Sequence, residues 1–123
     1  RRQRQMCIRD RNRGTVLNIS SVTAAQSNPH GCAYGATKAG LSGFAKSLFD
    51  EVRKYGVRVI TIQPDMAKTD LYRNADFCEG EEEASYLLPE EVAEAAAFAL
   101  AQREGLAVTE ITVKPQFHRI RRK

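Results

Sequence analysis

Short apolar runs alternate with longer stretches of helical periodicity along this chain, and their order is the first structural signal it offers. Residues 15–20, Thr-Val-Leu-Asn-Ile-Ser, form a compact apolar run of the kind buried in a parallel sheet. Asn28, Pro29 and Gly31 mark a loop over residues 22–32. From about Ala33 to Tyr55, Leu41, Phe44, Leu48 and Val52 recur in steps of three and four. That spacing predicts a helix, which Gly56 ends. Residues 57–63 predict a second buried strand. Pro89-Glu90-Glu91 supplies a proline and two acids suited to a helix's first turn, and the alanine-rich segment to about Arg103 continues it. Leu106 to Val113 alternates as a last strand. Strand–helix–strand–helix–strand with these connection lengths predicts an α/β fold with a parallel sheet and right-handed crossovers.

Composition narrows the function classes. The 123 residues suffice for one domain with a modest core. No apolar run approaches the ~18–20 residues that cross a membrane. Cys7, Cys32 and Cys78 lack metal-type spacing and read as reduced thiols of a cytoplasmic protein. His30 and His118 stand far apart, so no metal site is expected. The net charge of +4 misleads, because residues 1–13 hold six arginines and one acid and residues 119–123 four more basic side chains. Residues 14–118 carry nine basic against fourteen acidic side chains, a net of −5. A nucleic-acid binder places its basic stripe on the folded body, so neither nucleic acid nor membrane is an expected partner.

The chemistry concentrates in Tyr34 and Lys38, four residues apart, with Ser21 thirteen residues before Tyr34. On a helix, residues four apart share a face, so a phenol and an ammonium project side by side. A phenol is a poor proton-transfer group at neutral pH, and a cation within roughly 4–6 Å favours its ionised form. A serine hydroxyl arriving from a strand end completes an acid/base centre for alcohol and carbonyl chemistry.

Thr15-Val16-Leu17-Asn18-Ile19-Ser20-Ser21, followed by Tyr34-Gly35-Ala36-Thr37-Lys38-Ala39-Gly40-Leu41, resembles the short-chain dehydrogenase/reductase family. Val57-Arg58-Val59-Ile60-Thr61-Ile62-Gln63-Pro64 and then Thr69 resemble the family's next strand and its nicotinamide-side loop. The resemblance covers residues 13–118 and implies the carboxyl-terminal half of a Rossmann-like doubly wound parallel sheet. It implies Tyr34 as general acid in carbonyl reduction and base in alcohol oxidation. Lys38 would activate Tyr34 and hold the nicotinamide ribose, and Ser21 would orient the substrate oxygen. Pro64, Ala67 and Thr69, with Tyr34 and Lys38, would contact the cofactor. Ser20 reads as packing on the other face, and Asn18 as serving backbone hydrogen bonding. The cofactor is NAD or NADP, undecided because the residues meeting the adenosine ribose fall outside this sequence. The substrate would be a small carbonyl or alcohol, for which a 3-oxoacyl or hydroxy-acid compound is the analogy. The resemblance implies a homodimer or homotetramer of the full-length protein. Ala36, Ala39, Gly40, Gly43 and Ala45 give this helix a small-residue surface that permits close approach of a second copy, or else simply packs on its own sheet.

Departures from the family pattern matter as much. No glycine-rich turn after a strand is present, although such a turn holds the cofactor's pyrophosphate. Asp65 stands where the family usually has glycine. Residues 1–12 resemble translated adapter sequence, or else a genuine basic segment, and are set aside from fold reasoning. Residues 70–88 fall where the family places a substrate lid. Within them Glu79-Gly80-Glu81-Glu82-Glu83 reads as a solvated loop, and residues 119–123 read as a solvated basic tail. The chain by itself is expected to be inactive. The alternatives are a non-catalytic remnant or interaction module, and an epimerase of the extended short-chain branch.

Overall fold

The computed structural model describes residues 14–69 and 77–122. The arginine-rich segment with Cys7, the part of the expected lid that contains Tyr72, and Lys123 lie outside the described residues. The elements run β1 (Gly14–Ile19), α1 (Cys32–Val52), β2 (Val57–Pro64), β3 (Phe77–Glu79), α2 (Pro89–Leu100), β4 (Glu110–Val113) and β5 (Ile120–Arg122). A three-stranded sheet has the order β1-β2-β4, all parallel, and β3 pairs with β5 in a separate two-stranded sheet. The α/β class and the strand–helix alternation match the expectation.

The middle strand is buried on both faces, which is why its apolar residues Val57, Val59, Ile60 and Ile62 serve both sides of the sheet, with Thr61 and Gln63 buried among them. Val57 and Val59 pack against Ala45 and Val52 of α1, whereas Ile60 and Ile62 pack against Ala96 and Ala99 of α2. Each of these valine and isoleucine side chains removed from water contributes about 1.5–3 kcal/mol. Strand β1 is served on one face only. Val16 packs on the α1 side, but Leu17 and Ile19 remain 39% and 47% exposed. In register they lie beside Ile60 and Ile62, on the α2 side of the sheet. Among the described residues no strand pairs with the far edge of β1.

Local chemistry sets the helix ends. Helix α1 passes into a 3₁₀ turn at Arg53–Tyr55 and closes at Gly56, whose φ of 75° is left-handed backbone that glycine adopts freely. Pro89 opens α2, and the Glu91 carboxylate accepts from the Leu88 N–H at 2.7 Å. The Arg58 guanidinium, reaching from β2, donates to the carbonyls of Ala99, Leu100 and Gln102 at 3.3, 3.1 and 3.3 Å. It satisfies acceptors that a helix terminus leaves open. The regular helix stops at Leu100, short of the expected Arg103.

Two expectations are corrected. Strand β4 begins at Glu110 instead of Leu106, because residues 101–108 are still turning back from the helix and Val108 packs into the Ile60 cluster. Ile120–Arg122 is not a free tail. It forms β5 against Phe77–Glu79, with Arg119–Glu82 and Arg121–Glu81 ion pairs at 3.0 and 3.1 Å. Three-residue strands are too short to leave a periodic signal.

Candidate functional site

Tyr34, Lys38, Ala45 and Val52 follow one another along α1 in steps of four and seven, so they share one stripe of the helix. At Ala45 and Val52 that stripe is buried against the sheet. Toward its amino terminus the helix overruns the carboxyl edge of the strands, and the same stripe opens to solvent. Tyr34 is 43% exposed there. The Lys38 ammonium donates to the carbonyl of Ile19, the last residue of β1, at 3.3 Å. Its Nζ also stands 5.6 Å from the centre of the Tyr34 ring. An ammonium has three protons to give, so Lys38 keeps donor capacity toward the open edge.

The two serines after β1 divide the work of strand end and site. Ser20 is buried, and its Oγ donates to the Lys38 carbonyl at 3.3 Å and lies 3.2 Å from Ser42 Oγ. It therefore braces α1 against the sheet at the level of Lys38. Ser21 Oγ instead accepts from the Thr23 N–H at 3.2 Å and the Thr23 hydroxyl at 3.0 Å, capping the 3₁₀ turn Val22–Ala24. The Ser21 O–H proton has no acceptor among the described residues. Ser21 and Tyr34 make no direct hydrogen bond in this arrangement.

The connection from Ser21 to α1 is a shaped loop. Asn28–Gly31 closes a turn by a 3.0 Å backbone bond, with Pro29 second and His30 third at φ 66°, a type II arrangement. Asn28 Nδ2 donates to the Gly31 carbonyl at 2.9 Å, which holds the loop onto the helix start. An open cavity of about 350 Å³ lies against this loop and another stripe of α1, lined by Thr23, Asn28, Cys32, Gly35, Ala36 and Ala39. Ser21, Tyr34 and Lys38 do not line it.

The loop after β2 leaves the same carboxyl edge, since Pro64 ends β2 opposite Val113 and Ser20 N donates to Ile62 O at 2.7 Å. Ala67 bridges Leu87 in parallel, with Leu87 N on Met66 O and Lys68 N on Leu87 O, both at 2.8 Å. In that ladder the N–H and C=O of Ala67 itself point to the opposite side. Thr69 is exposed just beyond. Asp65 does not take a glycine-type backbone, because His30 is the only described non-glycine residue with positive φ. Its carboxylate accepts from the Met66 N–H at 2.8 Å, and its own N–H continues the ladder to Val113 O at 2.9 Å. The departure at position 65 is thus absorbed by a side-chain turn.

Sequence reasoning misplaced two residues and could not have found a third contact. Ala45, grouped with the small-residue surface, is buried in the chain's own core. Gly40 and Gly43 do face outward, where an added Cβ meets nothing within 4 Å. Asn18 is expected from the sequence to serve backbone hydrogen bonding, but its Nδ2 is buried with no partner among the described residues. The Leu87 bridge to Ala67 joins segments whose sequences carry no mutual signal. No group of three His, Cys, Asp or Glu side chains suited to a metal occurs among the described residues. No described helix is long and apolar enough to cross a membrane.

Comparison with known proteins gives a consistent result. The sequence profile described as short chain dehydrogenase matches residues 3–77. A 3-oxoacyl-(acyl-carrier-protein) reductase of Rickettsia conorii is 37% identical over 108 residues, covering 81% of this chain and 44% of that protein. Among solved structures, serine dehydrogenase from Escherichia coli superposes with a TM-score of 0.76 at 24% identity, over 93% of this chain and 45% of that one. A 3-oxoacyl-(acyl-carrier protein) reductase from Brucella melitensis with bound NAD gives 0.71 at 27% identity, over 94% and 45%. The chain spans less than half the length of the relatives it matches.

Proposed function

The chain belongs to the short-chain dehydrogenase family, and on that premise we propose that it is the carboxyl-terminal half of an NAD(P)-dependent oxidoreductase acting on a hydroxyl/keto pair. One observation carries the reading: Lys38 and Tyr34 emerge at the sheet edge on one helical stripe, with Lys38 Nζ 5.6 Å from the centre of the Tyr34 ring, and just after the adjoining strand β1 comes Ser21, whose hydroxyl proton has no acceptor among the described residues. Tyr34 Oη delivers a proton to a carbonyl oxygen in reduction and removes it from an alcohol in oxidation. The Lys38 ammonium stabilises the phenolate that forms. The Ser21 hydroxyl donates to the substrate oxygen and orients it, while Ser20 keeps Lys38 in place through its backbone carbonyl.

The residues present fit one end of a nicotinamide dinucleotide. Lys38 has ammonium protons to spare for the ribose hydroxyls. The outward-facing amide and carbonyl of Ala67, together with Pro64 and Thr69, suit a carboxamide. When bound, the nicotinamide gives or accepts the hydride. The glycine-rich cradle for the pyrophosphate has no counterpart in this sequence, so NAD and NADP are both compatible with it.

The substrate is a small carbonyl or alcohol, and a 3-oxoacyl compound is the analogy offered by the Rickettsia relative's name. In the complete protein, the outward Gly40–Gly43 surface of α1, flanked by Phe44, packs against a second copy to give a dimer or tetramer. The free thiols of Cys32 and Cys78 suit a cytoplasmic setting. The deciding experiment compares the complete protein with its Tyr34→Phe variant for NADPH oxidation over a panel of ketones, with cofactor affinity measured alongside. Lost turnover with retained affinity is expected; retained turnover with weakened affinity overturns the role of Tyr34. The isolated 123-residue chain is expected to show no turnover, and steady NADPH oxidation by it would reject the half-domain reading.

A further inference from the structure

We propose that the carboxyl-terminal strand β5 is a charge-dependent clasp that holds the segment Phe77–Leu87 and, through it, sets the backbone position of the Met66–Lys68 loop. Nearly all of this assembly lies beyond the residues matched by the family profile. The inference does not depend on the catalytic reading, because closure of the clasp is measured in the chain itself.

The contacts run in an unbroken series. Phe77, Cys78 and Glu79 pair antiparallel with Arg122, Arg121 and Ile120. Arg121 Nε donates to the Glu79 carbonyl at 3.1 Å, and Phe117 N donates to the Ala84 carbonyl at 2.9 Å. Arg119 and Arg121 each donate to a carboxylate of the acidic run, Glu82 at 3.0 Å and Glu81 at 3.1 Å. Ser85 is buried and closes the turn by donating from N and Oγ to Glu82 O at 2.9 and 2.6 Å. Two residues on, Leu87 enters the ladder with Met66 and Lys68 at 2.8 Å on both sides. A shift of the acidic segment therefore reaches the loop after β2 through backbone bonds.

Two features make the contact a clasp and not a rigid part of the core. A two-stranded sheet of three residues a side is marginal in water without further support. Part of the support here is a pair of exposed ion pairs, which salt weakens. The second feature is Gly80, buried under the turning chain. A Cβ at that position would collide with the Arg119 carbonyl oxygen and lie 2.6 Å from Ser85 Oγ. Glycine is what lets β5 come down onto the acidic segment.

Hydrogen exchange read by peptide mass tests this, together with the labelling rate of the Cys78 thiol. In the Arg119→Gln/Arg121→Gln chain, exchange across 77–87 and across 66–69 should be roughly two- to tenfold faster, with β2 unchanged. Gly80→Ala should do the same without altering charge. In the unaltered chain, raising salt from low ionic strength to about 1 M should speed Cys78 labelling in the same direction. Faster exchange over 77–87 with none over 66–69 overturns the coupling. Should a variant unfold the chain, the salt series on the unaltered protein decides, and labelling of Cys78 that is insensitive to salt overturns the clasp.

Discussion

The two ends of α1 are built from one repeating stripe yet do different things. In the carboxyl-terminal part, Ala45 and Val52 on that stripe meet Val57 and Val59 and disappear into the core. In the amino-terminal part, Tyr34 and Lys38 occupy equivalent angular positions but lie at the carboxyl end of β1, where the Lys38 ammonium reaches the Ile19 carbonyl and Tyr34 is exposed. Burial or chemistry is decided by where the sheet stops, not by a change in the helix. The lesson is that a parallel sheet makes its site by ending: strands shorter than the helix leave the helix's inward face open at their carboxyl edge.

That contrast can be broken from either side, and the largest effect falls at the open end. Tyr34→Phe in the complete protein should lower kcat by about 10²–10⁴-fold, the usual worth of a positioned proton donor. Its melting temperature should hardly move, because Tyr34 is exposed and its hydroxyl has no hydrogen-bond partner among the described residues, so removing it leaves packing there untouched. A melting shift as large as that of a core substitution would assign Tyr34 to the packed end instead. Ile60→Ala tests the buried side: it removes a side chain with no exposed surface and should cost roughly 2–5 kcal/mol in a urea titration of the complete protein.

Smaller effects sharpen the boundary between the two ends. Ser20→Ala removes the bonds to the Lys38 carbonyl and Ser42, and about 0.5–1.5 kcal/mol of stability should go with them. If Ser20 also keeps Lys38 in position, kcat falls while KM for the ketone stays; an unchanged kcat would leave Ser20 a purely structural brace. Gly43→Ala sits on the outward stripe, where a methyl meets nothing in this chain, and should gain about 0.5–1 kcal/mol of helix stability in a monomer. In an oligomer that uses this surface, sedimentation should show the methyl weakening association instead.

Much of the fold was legible in the residues. The run from Val57 to Pro64 reads as a strand buried on both faces, and it is one. The steps from Leu41 to Val52 predict α1, and Gly56 its end, because periodicity and a left-handed closing residue are local properties. Legibility failed where a partner distant in sequence sets the outcome. Arg58 ends α2 from another strand, and β5 exists only because Phe77–Glu79 lies opposite it. The open faces of Leu17 and Ile19 and the unpartnered amide of Asn18 belong to the same class. Their apolar and polar character says they have neighbours, and the described residues do not supply them.

By itself the sequence determined the α/β class, the order of the core elements, and the chemical identity of Ser21, Tyr34 and Lys38 with their spacing. These depend on side-chain type and on repeats of two and 3.6 residues, which a chain carries along its own length. Tertiary structure alone decided that Ser20 braces the helix while the Ser21 proton stays uncommitted, that Asp65 folds its turn without a glycine backbone, and that Ala67 is fixed from Leu87. Each of these turns on the distance between segments far apart in the chain. Spacing along a sequence does not carry that distance, because packing sets it.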